Sequence, residues 1–314
     1  MLSRRALLHA SAVTAAGLAP LAAKPRTPPR KTAALKTELD AVAGDFHGAL
    51  GYALHHFGTG DRLSLRGDEP FPSASTIKLA VMGEAFRRQQ AGEIGYYEAW
   101  PLEKRHVRGG AGFLQNYREG VRVELKELLH LMITVSDNTA TAWLVEKLGT
   151  PHVNAWLDAR GLPKTRLLTQ LPGDASADLK QLAATFGLGV TTPSDMVALM
   201  AQLRDGKAGT PAACDEMRRL LSHQYFDDLI AGSVPPGVQV ASKSGALNQS
   251  RSDVALVSAP SGDYALAVFT KENTDQRWTR ENEAEQAIRT IAAKVWAFCE
   301  PNRPYMPPPG TAKF

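Results

Sequence analysis

The chain has 314 residues, 44% of them apolar and 22% charged, with 26 Gly, 20 Pro and 2 Cys. That balance excludes the disordered, collagenous and disulfide-scaffold classes and leaves room for one large domain or two ordinary ones. The formal charge of +4 comes without a dense basic block, so no nucleic-acid partner is indicated.

Residues 1–23 begin Met-Leu-Ser-Arg-Arg, continue as a weakly apolar Ala/Leu run and end at Leu21-Ala22-Ala23. Basic, apolar and small-residue regions in that order make an export signal. The paired Arg4 and Arg5 point to the twin-arginine route. The run is shorter than the roughly 20 apolar residues of a membrane span, and His9 interrupts it. The sequence therefore predicts an exported protein, periplasmic or extracellular, with no stable membrane span. Residues 24–32, rich in Pro and basic side chains, predict a linker.

A short helix follows, with Leu35, Leu39, Val42 and Ala43 on one face. Two strands over 46–56 and 62–65 are joined at Gly58-Thr59-Gly60-Asp61, a hairpin signal. Helical periods occupy 79–90, 123–134, 139–148 and 194–203, each bounded by Pro, Gly, Ser or Asp. Alternation with a period of two returns over 238–242, 254–259 and 264–270, before a last helix over 280–298 and a Pro-rich tail, 301–314. Strands at both chain ends and helices between them predict an α+β fold. One antiparallel sheet is built from both ends and flanked by the terminal helices, and an all-helical lobe is inserted between its strands. The expected α/β lobe is 33–68 plus 213–300, and the expected helical lobe is 69–212. Cys214 and Cys299 allow at most one internal disulfide.

The sharpest chemical signal is Ser75-Thr76-Ile77-Lys78, directly before an amphipathic helix. Three residues apart on a helix, Ser75 and Lys78 share a face. A serine hydroxyl needs a base within hydrogen-bond reach to act as a nucleophile. The helix N-terminus and partial burial both disfavour an ammonium, which suits Lys78 to that part. Two further motifs follow in order: Ser136-Asp137-Asn138 between predicted helices, and Lys243-Ser244-Gly245-Ala246 on a predicted strand.

With these three motifs, and with Thr191-Thr192-Pro193-Ser194-Asp195-Met196 and the helix before Ser136, the chain resembles the class A β-lactamase and penicillin-binding serine hydrolase superfamily. The likeness spans about residues 35–298 and implies a five-stranded antiparallel sheet. It also implies a role for each matching position. Ser75 is the nucleophile, Lys78 its base, and Ser136 the relay of the proton to the leaving nitrogen, held by Lys78 and Lys243. Asn138 contacts the substrate and Lys78, and the backbone N–H groups of Ser75 and Ala246 form the oxyanion hole. Lys243, Ser244 and Arg251 receive the substrate carboxylate.

One element of the pattern is missing. Class A enzymes carry a glutamate that activates the deacylating water in a loop represented here by 165–178, and no Glu lies between Glu146 and Glu216. Taking Pro172 as the proline after that glutamate puts Leu171 at its position. Asp174 and Asp178 are the carboxylates nearby, of a kind more usual in turns and caps. The reading is a secreted class A-type hydrolase acylated at Ser75 by β-lactams. The alternatives are a slow-turnover D-alanyl peptidase or acyl-trapping receptor, and an esterase or amidase for another small carboxylated compound. The expected partner is that small molecule, acting on a monomer. His55, His56, His106, His130, His152 and His223 follow no metal-ligand spacing, so neither metal nor cofactor is implied.

Overall fold

The computed structural model describes residues 32–307. The expected export segment 1–23, linker residues 24–31 and tail residues 308–314 lie outside the described residues. In chain order, helix α1 (Thr32–Asp45) leads into the hairpin β1 (Ala49–His56) and β2 (Arg62–Leu65). Strand β3 (Phe71–Pro72) precedes a 3-10 turn, Ala74–Ile77, that runs directly into α2 (Lys78–Gln90). The pair β4 (Ala99–Pro101) and β5 (Arg122–Glu124) then opens α3 (Leu125–Thr134), α4 (Asn138–Leu148) and α5 (Thr150–Asp158). Next come β6 (Arg166–Leu167), α6 (Ala177–Phe186), β7 (Gly189–Thr191), α7 (Pro193–Arg204) and α8 (Pro211–Leu221). The chain closes with β8 (Val240–Leu247), β9 (Ser250–Val257), β10 (Tyr264–Lys271) and α9 (Glu283–Cys299).

Five strands pair antiparallel in the order β2-β1-β10-β9-β8, so the first hairpin adds to the edge of the last three strands. Alternate residues of β10 go to opposite faces. Tyr264, Leu266 and Val268 join Leu35 and Leu39 of α1 and Ile288, Ile291 and Val295 of α9. Ala265, Ala267 and Phe269 join the cluster formed by α2, α3, α4 and α7. Both faces of the central strands are covered, which is why every residue of β9 is buried. Among the described residues no helix is long and apolar enough to cross a membrane.

The predicted strand 62–65 is β2, and the predicted helices 79–90, 123–134, 139–148 and 194–203 correspond to α2, α3, α4 and α7 within two residues. Helices α5, α6 and α8 are additional to the expectation. No residue of α6 is fully buried, although Leu179, Leu182, Ala183 and Phe186 recur at helical spacing and form its half-buried face. Helix α8 is capped by Thr210, whose hydroxyl accepts from Ala213 N, and starts at Pro211. The expected lobe boundary at 212/213 falls inside this helix. Cys214 and Cys299 lie in the two different core clusters, on opposite sides of the sheet, and no disulfide joins them.

Candidate active site

Ser75 sits where extended chain is forced to turn into a helix. Phe71 and Pro72 are paired with Thr191 and Val190 of β7, and Ser73 N donates to Gly189 O at 2.8 Å. Ala74 takes up a left-handed φ of 44°, and Thr76 Oγ1 donates to Ser73 O at 2.7 Å to close the turn. Non-glycine residues held this way cost about 1–3 kcal/mol and persist where their surroundings over-determine them. Half-buried Ser75 thus stands at the start of the helical run, and Lys78, the first residue of α2, is fully buried.

The Lys78 Nζ donates to Ser136 O at 2.6 Å, to Ser136 Oγ at 3.1 Å and to Asn138 Oδ1 at 2.9 Å. Burial, and then the neighbouring Lys243 charge, hold Lys78 well below the usual lysine range, with Asp137 opposing. Ser136 itself has a left-handed φ of 55°, which turns both its oxygens toward Lys78.

Asp137, between the two motif residues, received no role from the sequence. Its buried carboxylate caps α4 by accepting from Ala140 N at 2.8 Å. The other oxygen accepts from Phe113 N at 2.7 Å and Leu114 N at 3.0 Å. It ties the loop before α4 to the Gly-rich loop opposite. A Cβ on Gly112, whose φ is +108°, would come within 2.3 Å of this carboxylate.

The third motif lies on β8, the edge strand nearest Ser75. A Cβ on Gly245 would meet Ser252 Oγ at 2.6 Å, Ser73 O at 2.9 Å and Ala74 Cβ at 3.0 Å. Glycine therefore lets β8 press against the turn that carries Ser75. Fully buried Lys243 donates to Ser244 O at 3.0 Å, and not to Ser136 as the sequence reading has it. Burial pushes Lys243 down to about 8 against the pull of Asp253, whose own carboxyl burial raises to about 7. In one cavity of about 540 Å³, Ser75, Ser136, Asn138, Ser244, Ala246 and Arg251 come together.

Residues 34–299 match the family model described as the Beta-lactamase enzyme family. The chain belongs to the beta-lactamase enzyme family. It is 28% identical over 249 residues to a beta-lactamase of Rhodobacter capsulatus, covering 78% of this chain and 83% of that one. It is 27% identical over 266 residues to Beta-lactamase FAR-1 of Nocardia farcinica, covering 81% of each. The structure of a beta-lactamase from Sphaerobacter thermophilus superposes with a TM-score of 0.73 at 27% identity, over 85% of this chain and 96% of that one. PBP-A shares the fold with a TM-score of 0.75 at 24% identity, over 87% and 99%. The chain is accordingly a serine hydrolase of the class A β-lactamase type with the α+β fold of that family.

As a beta-lactamase-family chain it departs from expectation at two places. Arg251, expected at the substrate carboxylate, is fully buried and committed to its own neighbours. Its guanidinium donates to the carbonyl oxygens of Leu247, Ser250 and Arg277 and to Glu285 Oε1, with the Trp278 ring stacked 4.4 Å away. In the loop, Asp174 and Asp178 are exposed, and neither they nor half-buried Leu171 line either of the two described cavities that Ser75 borders. The loop residues that do reach the Ser75 region are Thr169 and Gln170. Gln170 stands there on a left-handed backbone, with φ 50°, which is not visible in the sequence.

Proposed function

We propose that this chain opens β-lactams through an acyl-enzyme at Ser75. The observation that carries the reading is the buried amine of Lys78, three residues after Ser75, held at 2.6 to 3.1 Å against Ser136 and Asn138, which line the same cavity as Ser75. Burial disfavours the charged form of Lys78; once neutral, with two N–H donors left and the Ser136 hydroxyl free to turn, its lone pair accepts the Ser75 proton as Oγ attacks the carbonyl carbon. Ser136, hydrogen-bonded to that amine, passes the proton to the departing nitrogen. The backbone N–H groups of Ser75 and Ala246 face the developing oxyanion, a contribution of about 3 kcal/mol per donor. The Ser244 hydroxyl, which lines the cavity, binds the substrate carboxylate, the charge of protonated Lys243 buried beside it supports that anion, and Asn138 orients the amide side chain. Arg251 secures the floor of this end of the cleft through its bonds to Leu247 and Glu285.

Mixing the purified protein with a chromogenic cephalosporin tests the reading. The expected result is turnover beyond one equivalent, labelling of Ser75 by a fluorescent penicillin, and loss of both in Ser75→Ala. Labelling that persists in Ser75→Ala overturns the site. The absence of a glutamate from the 165–178 loop favours a second reading, a slow penicillin-binding protein. A burst of one equivalent followed by a plateau distinguishes it.

We also propose that residues 1–23 direct export and that the mature enzyme acts as a monomer, since every residue in the mechanism comes from one chain. A mature N-terminus following Ala23 and a single-chain mass in solution are the expected measurements.

A further inference from the structure

Ser75 borders two cavities, and the second bears on how the acyl-enzyme reading above is completed. The first, about 540 Å³, carries Ser136, Ser244 and Ala246, the groups suited to substrate. The second, about 360 Å³, opens on the loop side of Ser75 between Asn138, Ala142, Thr169, Gln170 and Leu188. An acyl group lying in the first cavity leaves its ester carbonyl open to water from the second. No Asp or Glu lines that second cavity.

Of the two polar loop residues that border it, Thr169 and Gln170, the second does so from a constrained backbone. Its φ of 50° is left-handed, a conformation that carries a strain cost for a residue other than glycine and that clusters at functional sites. Its Nε2 donates to Ala142 O at 3.2 Å, which fixes the plane of the amide. Its Oε1 accepts no hydrogen bond from another described residue and remains available to a water.

We propose that Gln170 is a positioning residue that holds the hydrolytic water against the Ser75 ester, and that Lys78 is the base for deacylation. An amide oxygen accepts a hydrogen bond but takes up no proton at neutral pH, so Gln170 orients and does not ionise. The water oxygen attacks the acyl carbonyl carbon while one of its protons passes to the neutral Lys78 Nζ. The bond from that carbon to Ser75 Oγ then breaks, Lys78 returns the proton to Oγ, and the released acid loses its own proton to solvent. Burial disfavours the ammonium form of Lys78 and so favours the receptive one. Asn138, which borders both cavities and accepts from Lys78 at 2.9 Å, holds the amine between the two steps.

The test separates the two half-reactions. The full chain is mixed with excess benzylpenicillin, the Ser75 adduct is followed by intact mass, and its decay is timed after the excess is removed. Gln170→Ala is expected to acylate at a rate within about threefold of the parent but to deacylate about tenfold or more slowly, a misplaced water being costly. Gln170→Glu, of the same shape, is expected to deacylate faster and to gain an acid limb in the pH profile of that step alone. Deacylation of Gln170→Ala at the parent rate overturns the proposal. So does an equal loss of both steps, which marks a merely structural role. Failure of the unaltered chain to form any Ser75 adduct instead overturns the acyl-enzyme reading itself.

Discussion

Lys78 Nζ meets Ser136 twice, at the carbonyl oxygen (2.6 Å) and at Oγ (3.1 Å), and Ser136 presents both oxygens because its backbone is left-handed at φ 55°. The strain at Ser136 and the placement of the Lys78 amine are therefore one feature.

Glycine adopts that φ freely, so Ser136→Gly is expected to stay within about 1 kcal/mol of the parent in stability. Loss of the hydroxyl, however, removes the proton relay and slows acylation by about 10²-fold or more. Thermal unfolding beside fluorescent-penicillin labelling kinetics checks the dissociation of the two effects. A variant that acylates at the parent rate removes Ser136 from the mechanism.

Burial pushes Lys243 down to about 8, and in the proposed mechanism it must be protonated to support the bound carboxylate. The second-order acylation rate constant is expected to fall above pH 8, while the maximal rate at saturating substrate changes less. Lys243→Arg keeps its charge and is expected to flatten that limb. Stability carries the opposite sign. With the folded value below the ordinary 10.5, the unfolded chain binds more protons between about 8 and 10.5, so this group makes stability rise with pH across that window. Paired pH profiles of acylation and of the urea midpoint read the two trends.

Asp137 serves three backbone donors, Phe113 N, Leu114 N and Ala140 N, at 2.7 to 3.0 Å. Asp137→Asn leaves a buried donor unmatched and is expected to cost about 1–3 kcal/mol in urea unfolding. The carboxylate also raises the Lys78 pKa against burial, so its removal lowers Lys78 further. The acid limb of acylation is expected to move to lower pH in this variant; a move to higher pH would contradict the electrostatic account.

Arg251 and Glu285 form an ion pair at 3.3 Å in which the arginine side chain is 1% exposed. Breaking a buried pair from one side costs about 3 kcal/mol or more. Arg251→Ala is expected to unfold at clearly lower urea, with a smaller rise in KM than Lys243→Ala gives. An unchanged midpoint with a large rise in KM would restore Arg251 to direct carboxylate binding.

The order Ser75–Lys78, Ser136–Asn138, Lys243–Ala246, the α+β class and the periods of α2, α3, α4 and α7 were legible in the sequence, because spacing along a helix encodes which face is buried. Helix α6 was missed although Leu179, Leu182, Ala183 and Phe186 carry a helical period, because that face is only half-buried and the segment reads as loop. The third dimension decided the rest. Whether an arginine five residues beyond the Lys243–Ala246 motif meets substrate or Glu285 depends on strand register and on α9, which lies far along the chain. Which loop residue faces Ser75 depends on one left-handed turn, at Gln170, that no periodicity announces. Sequence fixes which chemical groups exist and the faces they share on one element, whereas burial, approach and free lone pairs arise only between elements.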